Sequence, residues 1–348
     1  MRRLALLLVV VSAACRGGGD DGAGTTQVPP TSEVSTTTSL PLVGCDDDDI
    51  VPGAEVTCEV PGWPDRLVDV HVPAGYDPGQ TWPVVVAFHG GGGNRGATMR
   101  TTCPDGDLDD PGCLDAVGDR EGFFTISPDG VPAREGGRVR TWNAGGSGDL
   151  DCVAGTACEE GSDDVAYTRD LLDMLAAHYA IEERVVVTGL SNGGAMAHRL
   201  GCDLADRVRV VAAVSSGNQQ PGCVPSMPVS VIQIHGTLDD NWPYEGGHIG
   251  RLGGEARVVG AEDSIAGWAT TLECDAPVEG ALPDAADDGM TSTRFDRECA
   301  EGQRVTLIRI DGGGHTWPQG HQFADASRIG GVTQDFSANE VIWEFAGG

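Results

Sequence analysis

The sequence predicts an α/β protein, a mainly parallel sheet covered by helices on both faces. Three observations carry that prediction. Continuous Val- and Ile-rich runs recur at 84–88, 185–187, 208–214, 229–234 and 305–310. Stretches of helical pattern lie between them. No internal repeat or long polar break interrupts the pattern from Arg66 onward. A strand that is buried on both faces reads as an unbroken apolar run, which is the mark of a parallel sheet between helix layers.

Each element follows from local pattern. Residues 67–72 (LVDVHV) alternate at period two and predict a strand with one wet face. Residues 84–88 and 123–126 are short apolar strands, followed by HGGGGN and SPDG. Ser162 or Asp163 can cap a helix whose apolar positions are Val165, Leu171, Leu172, Leu175 and Tyr179. A strand at 185–187 leads into a helix from Asn192 to about residue 200. Strands at 208–214, 229–234 and 305–310 follow, with helices at 262–272 and 334–345.

The N-terminus reads as an address. Met1-Arg2-Arg3 precedes an unbroken apolar run at 4–11 and then Ser12-Ala13-Ala14-Cys15. Residues 1–14 are expected to form a secretory signal peptide, too short to span a bilayer. The small residues before Cys15 match a bacterial lipobox, which makes Cys15 the expected lipidation site. Ordinary cleavage near Ala14, leaving a free secreted protein, is the alternative. Residues 16–44 are Gly, Thr, Ser and Pro with little to bury, a tether of about 30 Å mean reach. Residues 45–348 are the expected folded domain, a monomer that meets a membrane only through the lipid.

There are 11 cysteines. Setting aside Cys15 leaves an even number in an exported chain, the composition of a disulfide framework. Proximity suggests Cys45–Cys58, Cys103–Cys113, Cys152–Cys158, Cys202–Cys223 and Cys274–Cys299, among many connectivities that ten cysteines allow. No CxxC pair or Cys/His cluster points to zinc.

Composition excludes several functions. The chain carries 53 acidic residues against 22 basic ones, all arginine, for a net charge of −31. Such a chain is repelled by phosphate backbones, so no nucleic-acid partner is expected. Without lysine there is no Schiff-base chemistry.

Three motifs follow three of the strands. Gly189-Leu190-Ser191-Asn192-Gly193 joins a strand to a helix. A G-x-S-x-G match alone arises by chance about 0.3–0.4 times in such a chain, but this strand-turn-helix setting is what a nucleophile elbow requires. His235-Gly236-Thr237-Leu238-Asp239-Asp240 offers a carboxylate to orient a histidine, with Asp239 preferred and Asp240 in reserve. Gly312-Gly313-Gly314-His315 supplies a candidate general base. The order Ser191, Asp239, His315 is that of α/β-hydrolase triads. The loop His89-Gly90-Gly91-Gly92-Gly93-Asn94 can present backbone N–H groups to an oxyanion, and we assign Gly91 with Asn192 to that role. His89 is expected to support the loop.

On these residues the chain resembles the exported polyhydroxybutyrate depolymerase-like and feruloyl esterase-like α/β-hydrolases, the group that includes carbohydrate esterase family one. The matching segments are FHGGGGN (88–94), REGFFTISPDG (120–130), TWNAGG (141–146), DDVAYTRDLLDML (163–175), RVVVTGLSNGGAMAHRLGC (184–202), IHGTLDDNWPY (234–244) and GGGHTWP (312–318). The resemblance implies a serine esterase with Ser191 as nucleophile, Asp239 as orienter and His315 as base. It implies no metal and no cofactor. Bridges at Cys202–Cys223 and Cys274–Cys299 are common in that group. Its substrates would be polymer-linked esters, either feruloyl or acetyl groups on polysaccharide or a polyhydroxyalkanoate. A small-ester hydrolase, a serine peptidase and a non-catalytic surface binding protein are the alternatives. Residues 101–113 and 148–158 are inserted loops that the resemblance does not cover.

Trp142, Trp242 and Trp317 fall beside site motifs, where they could line a substrate pocket or pack its rim. The carboxylates at 105–110 alternate as in some calcium loops but lack the closing Glu, and they read as a solvated loop.

Overall fold

The computed structural model describes residues 45, 50–153, 155–250 and 255–348. The predicted signal peptide, Cys15, the tether and the acidic run 46–49 lie outside the described residues.

Ten strands form the central sheet. They are β1 (Glu55–Glu59), β2 (Leu67–His71), β3 (Val84–Phe88), β4 (Phe124–Pro128) and β5 (Val185–Leu190), then β6 (Val208–Val214), β7 (Ser230–Gly236), β8 (Val278–Ala281), β9 (Thr291–Glu298) and β10 (Arg304–Asp311). The spatial order is β1-β2-β4-β3-β5-β6-β7-β10-β9-β8. From β4 to β10 every neighbouring pair is parallel. The two ends are antiparallel, β1 and β2 on one side and β9 and β8 on the other. This is the sheet of an α/β-hydrolase.

Among the described residues eight helices accompany it: α1 (Arg95–Thr101), α2 (Leu114–Glu121), α3 (Gly155–Glu159), α4 (Asp164–His178), α5 (Asn192–Asp203), α6 (Ala261–Thr271), α7 (Ala326–Ile329) and α8 (Ala338–Phe345). Strand alternation divides the core into two layers. Val84, Val86 and Phe88 of β3 pack with Leu171 and Leu175 of α4 and with Leu200 of α5. Val85 and Ala87 face the other way, toward Leu114 of α2 and Ile342 and Trp343 of α8. Both faces of β3 are dry, which is why it reads as a continuous apolar run.

The side chain of Asp163 caps α4 by accepting from the N–H of Ala166. Ser337 caps α8 in the same way through Glu340, so that helix starts four residues later than its apolar pattern suggested. The strands β1, β8 and β9 were not legible. β9 carries Phe295 among polar residues and is mostly half-exposed, so it lacks the apolar alternation that marks a strand.

Among the described residues there are five disulfides: Cys45–Cys58, Cys103–Cys113, Cys152–Cys158, Cys202–Cys223 and Cys274–Cys299. No described helix is long and apolar enough to cross a membrane.

Candidate active site

Ser191 stands between β5 and α5 with φ 58° and ψ −122°. A non-glycine residue in this region is strained by about 1–3 kcal/mol, a cost that persists only where surroundings over-determine it. Here they do. The Ser191 N–H donates to the Val214 carbonyl of β6, and the Ser191 carbonyl accepts from Ala195 in α5. The flanking glycines allow the turn to be this tight. A Cβ on Gly193 would lie 2.1 Å from the Phe88 carbonyl oxygen, and one on Gly189 would lie 2.6 Å from the same atom.

Asp239 lies in the turn after β7 and His315 in the turn after β10. The two strands are parallel neighbours. Their ends meet backbone to backbone, with the Leu238 N–H donating to the Gly313 carbonyl at 2.9 Å. A Cβ on Gly236 would come within 2.2 Å of the Gly313 carbonyl oxygen, so glycine is required there. This approach brings His315 Nδ1 to 2.7 Å from Asp239 Oδ2. Both side chains are buried. Asp239 Oδ1 accepts from the N–H groups of Asn241 and Trp242, each at 2.8 Å. Burial alone would raise the Asp239 carboxyl. The opposing pull of His315 and His235 outweighs it and holds the group well below the usual carboxylate range. Asp240, the reserve choice, is exposed.

His235 is a residue that sequence reasoning passed over. Its Nε2 lies 3.4 Å from Asp239 Oδ2 and donates to the Trp242 carbonyl at 2.8 Å. Its signal was present in the motif, four residues before Asp239 at the penultimate position of a buried strand.

Ser191 and His315 line one cavity of about 340 Å³, together with the Gly90–Gly93 loop and Asn192. The Asn192 side chain is fixed from three sides. It accepts from the Trp142 N–H at 2.8 Å and donates to the carbonyls of Trp142 and Val153 at 3.0 and 2.9 Å. The glycine loop is pinned by Gly92 N–H to the Arg140 carbonyl and by Arg140 N–H to the Gly93 carbonyl. Gly91 and Asn192 both face the cavity. Among the described residues neither backbone N–H has an intramolecular acceptor.

His89 is buried beneath that loop. Its Nε2 accepts from the Gly130 N–H at 3.0 Å, so the proton is on Nδ1, which donates to the Gly90 carbonyl at 2.8 Å. Burial lowers its pKa to about 3, and it is a neutral support for the loop.

The tryptophan expectation needs correction. Trp142 and Trp317 do not reach the cavity. Trp142 donates its indole N–H to the His89 carbonyl at 3.0 Å, and Trp317 donates to Asn339 at 3.0 Å. A buried indole with its N–H satisfied internally is core, and both rings buttress the loops from behind. Trp242 does border the cavity, but its ring is buried and tied to the Val259 carbonyl. The aromatic ring open to solvent there is Phe323, from a loop with no sequence signal; it is 41% exposed.

A family model described as "Putative esterase" matches residues 64–242, a stretch that contains Ser191 and Asp239. The chain is 28% identical over 198 residues to "Putative esterase NocK" of Nocardia uniformis subsp. tsuyamanensis, covering 52% of this chain and 56% of that protein. It is 26% identical over 191 residues to feruloyl esterase B of Piromyces equi, covering 52% of this chain and 32% of that one. The matches thus span about half of the first relative and a third of the second. Among solved structures, acetyl xylan esterase from Aspergillus awamori aligns at 16% identity and a TM-score of 0.46, covering 72% of this chain and 89% of that one.

Proposed function

The chain belongs to the esterase family whose model spans residues 64–242, and from that premise we propose that it is a carboxylic ester hydrolase working by acyl-enzyme chemistry. The observation that carries the proposal is the 2.7 Å pair of Asp239 and His315, whose histidine lines the same cavity as a serine on a strained strand-to-helix turn.

In this reading Ser191 Oγ attacks the ester carbonyl while His315 Nε2 takes its proton. The oxyanion is received by the N–H groups of Gly91 and Asn192, which are fixed before substrate arrives. Asp239 holds the His315 tautomer through Nδ1 and stabilises the imidazolium. His315 passes the proton to the leaving alcohol, the C–O bond breaks, and Ser191 is left acylated. Water, deprotonated by His315, attacks the acyl-enzyme and releases the acid.

The substrates we propose are polymer-linked esters, feruloyl or acetyl groups on polysaccharide or a polyhydroxyalkanoate. Three relatives, one of them from Piromyces equi, carry feruloyl esterase in their names. The cavity also suits a small free ester, and that is the second reading. Five disulfides support an extracytoplasmic site of action, with export directed by residues 1–14 and anchoring through a lipid on Cys15.

The test is hydrolysis of p-nitrophenyl acetate, methyl ferulate and a hydroxybutyrate oligomer by the oxidised protein and by Ser191→Ala. Turnover that disappears in the variant supports the mechanism, and the ranking of the three esters selects the substrate. Absence of turnover on all three by folded wild type would overturn the reading.

A further inference from the structure

A second groove, of about 490 Å³, borders α1. The two depressions share Ala97. The groove is lined by Arg95, Arg100, Arg138 and Arg140 against two carboxylates, Asp69 and Asp129. This concentration is unexpected in a chain whose net charge is −31.

The two carboxylates are already engaged. Arg95 Nε meets Asp69 at 2.7 Å and its Nη1 meets Asp129 at 3.0 Å, while Arg140 Nε lies 3.5 Å from Asp129. Arg100 and Arg138 are exposed and have no acidic partner among the described residues. The groove therefore presents two uncompensated guanidinium groups above a neutralised floor. Its walls are fixed. Asn94 donates its side-chain amide to the Arg138 carbonyl at 3.1 Å, and the Arg95 N–H donates to Asp129 at 2.9 Å. The arm that carries Arg138 and Arg140 is the one hydrogen-bonded to Gly92 and Gly93.

Guanidinium forks recognise planar anions such as carboxylates in a bidentate manner. We propose that this groove binds carboxylate groups of an acidic polysaccharide, a uronate-bearing chain whose ester occupies the cavity next to it. The inference rests on the reading of the protein as a hydrolase of polymer-linked esters. Neutral polysaccharide esters lack the contacts the groove offers, so acidic chains are the preferred substrates.

The experiment measures binding of trigalacturonate, which carries no ester, and of the neutral galactose trisaccharide to the full chain by titration calorimetry. It is repeated with the double variant Arg100→Ser/Arg138→Ser and with Arg169→Ser as a charge control from another face. We expect the wild type and the control to prefer the acidic sugar, and the double variant to lose at least ten-fold in affinity for it. In kinetics, the ratio of kcat/KM on acetylated trigalacturonate to that on p-nitrophenyl acetate falls about ten-fold in the double variant. Equal binding of the two sugars by wild type, or full affinity in the double variant, overturns the proposal. If wild type binds trigalacturonate but hydrolyses no ester, the esterase reading fails and the binding site stands.

Discussion

Asp239 shares one carboxylate oxygen between two histidines: Oδ2 lies 2.7 Å from His315 Nδ1 and 3.4 Å from His235 Nε2. The first contact sets the tautomer of the candidate base, and the second backs the carboxylate from the core side. Asp239→Asn preserves volume but leaves His315 facing an amide, and kcat should fall by about 10³–10⁴ with KM little changed. His235→Gln should cost less, about ten-fold in kcat, because the two backbone N–H groups still hold Oδ1. Steady-state kinetics on p-nitrophenyl acetate decide both. An Asp239→Asn protein of unchanged kcat would remove the carboxylate from the mechanism.

The strained turn at Ser191 yields a trade-off between activity and stability. Ser191→Gly removes the Cβ that is disfavoured at φ 58°. It should raise unfolding stability by about 1 kcal/mol, and by up to ~3, while abolishing turnover. Gly193→Ala should do the reverse at the same turn, since the new Cβ meets the Phe88 carbonyl at 2.1 Å. A loss of at least ~2 kcal/mol is expected, with activity lost alongside. Urea unfolding of the three proteins, followed by fluorescence, gives the order.

Buried neutral histidines set an acid limb of stability. Burial lowers His198 from 6.5 to about 3, as it does His89. The unfolded chain takes up these protons as pH falls through 6.5 and the folded chain does not. Stability present above pH 6.5 is therefore lost down to about pH 3, at about 1.4 kcal/mol per pH unit for each group. Asp115 works in the opposite sense between about 6 and 3.8, since burial raises it and the folded carboxyl protonates first. The His198→Gln variant isolates one group from this sum. Its drop in unfolding free energy between pH 7 and pH 4 should be smaller than that of wild type by roughly 3 kcal/mol. Parallel curves for the two proteins would contradict the assignment.

Asn192 ties the candidate oxyanion N–H to Trp142 and Val153 through three hydrogen bonds, the two to Trp142 buried. In Asn192→Ala, kcat should fall by about ten- to a hundred-fold and stability by about 1–3 kcal/mol, as the Trp142 backbone groups are left unpaired. Asn192→Asp keeps the acceptor for the Trp142 N–H but sets a carboxylate oxygen against the Trp142 and Val153 carbonyls, and it should be at least as damaging as Asn192→Ala. An Asn192→Ala enzyme with wild-type kcat would show that the N–H is positioned by the helix alone.

Much of this fold was legible because its central strands are dry on both faces. β3 and β6 match their apolar runs residue for residue. The outer strands β1, β8 and β9 were not legible, because a half-wet strand such as β9 spends its alternation on polar residues. At the site, Ser191, Asp239 and His315 were readable because each follows a strand, and parallel strands deliver their ends to one rim. The tryptophans misled for a related reason. Adjacency to a motif fixes distance along the chain but not the side of the loop, and Trp142 and Trp317 point behind it. Phe323 is brought to the cavity by tertiary packing of a loop that has no periodicity to read.

Each of the five disulfides joins a cysteine to the next one along the sequence, at separations from 6 to 25 residues. No bridge crosses or encloses another. A chain oxidised as it is delivered from its N-terminal end therefore meets each partner before the next pair arrives. The one thiol able to spoil the series is Cys15, which precedes Cys45. Left free, it would shift the pairing by one place along the whole chain, so blocking or removing Cys15 protects the order of every bridge that follows.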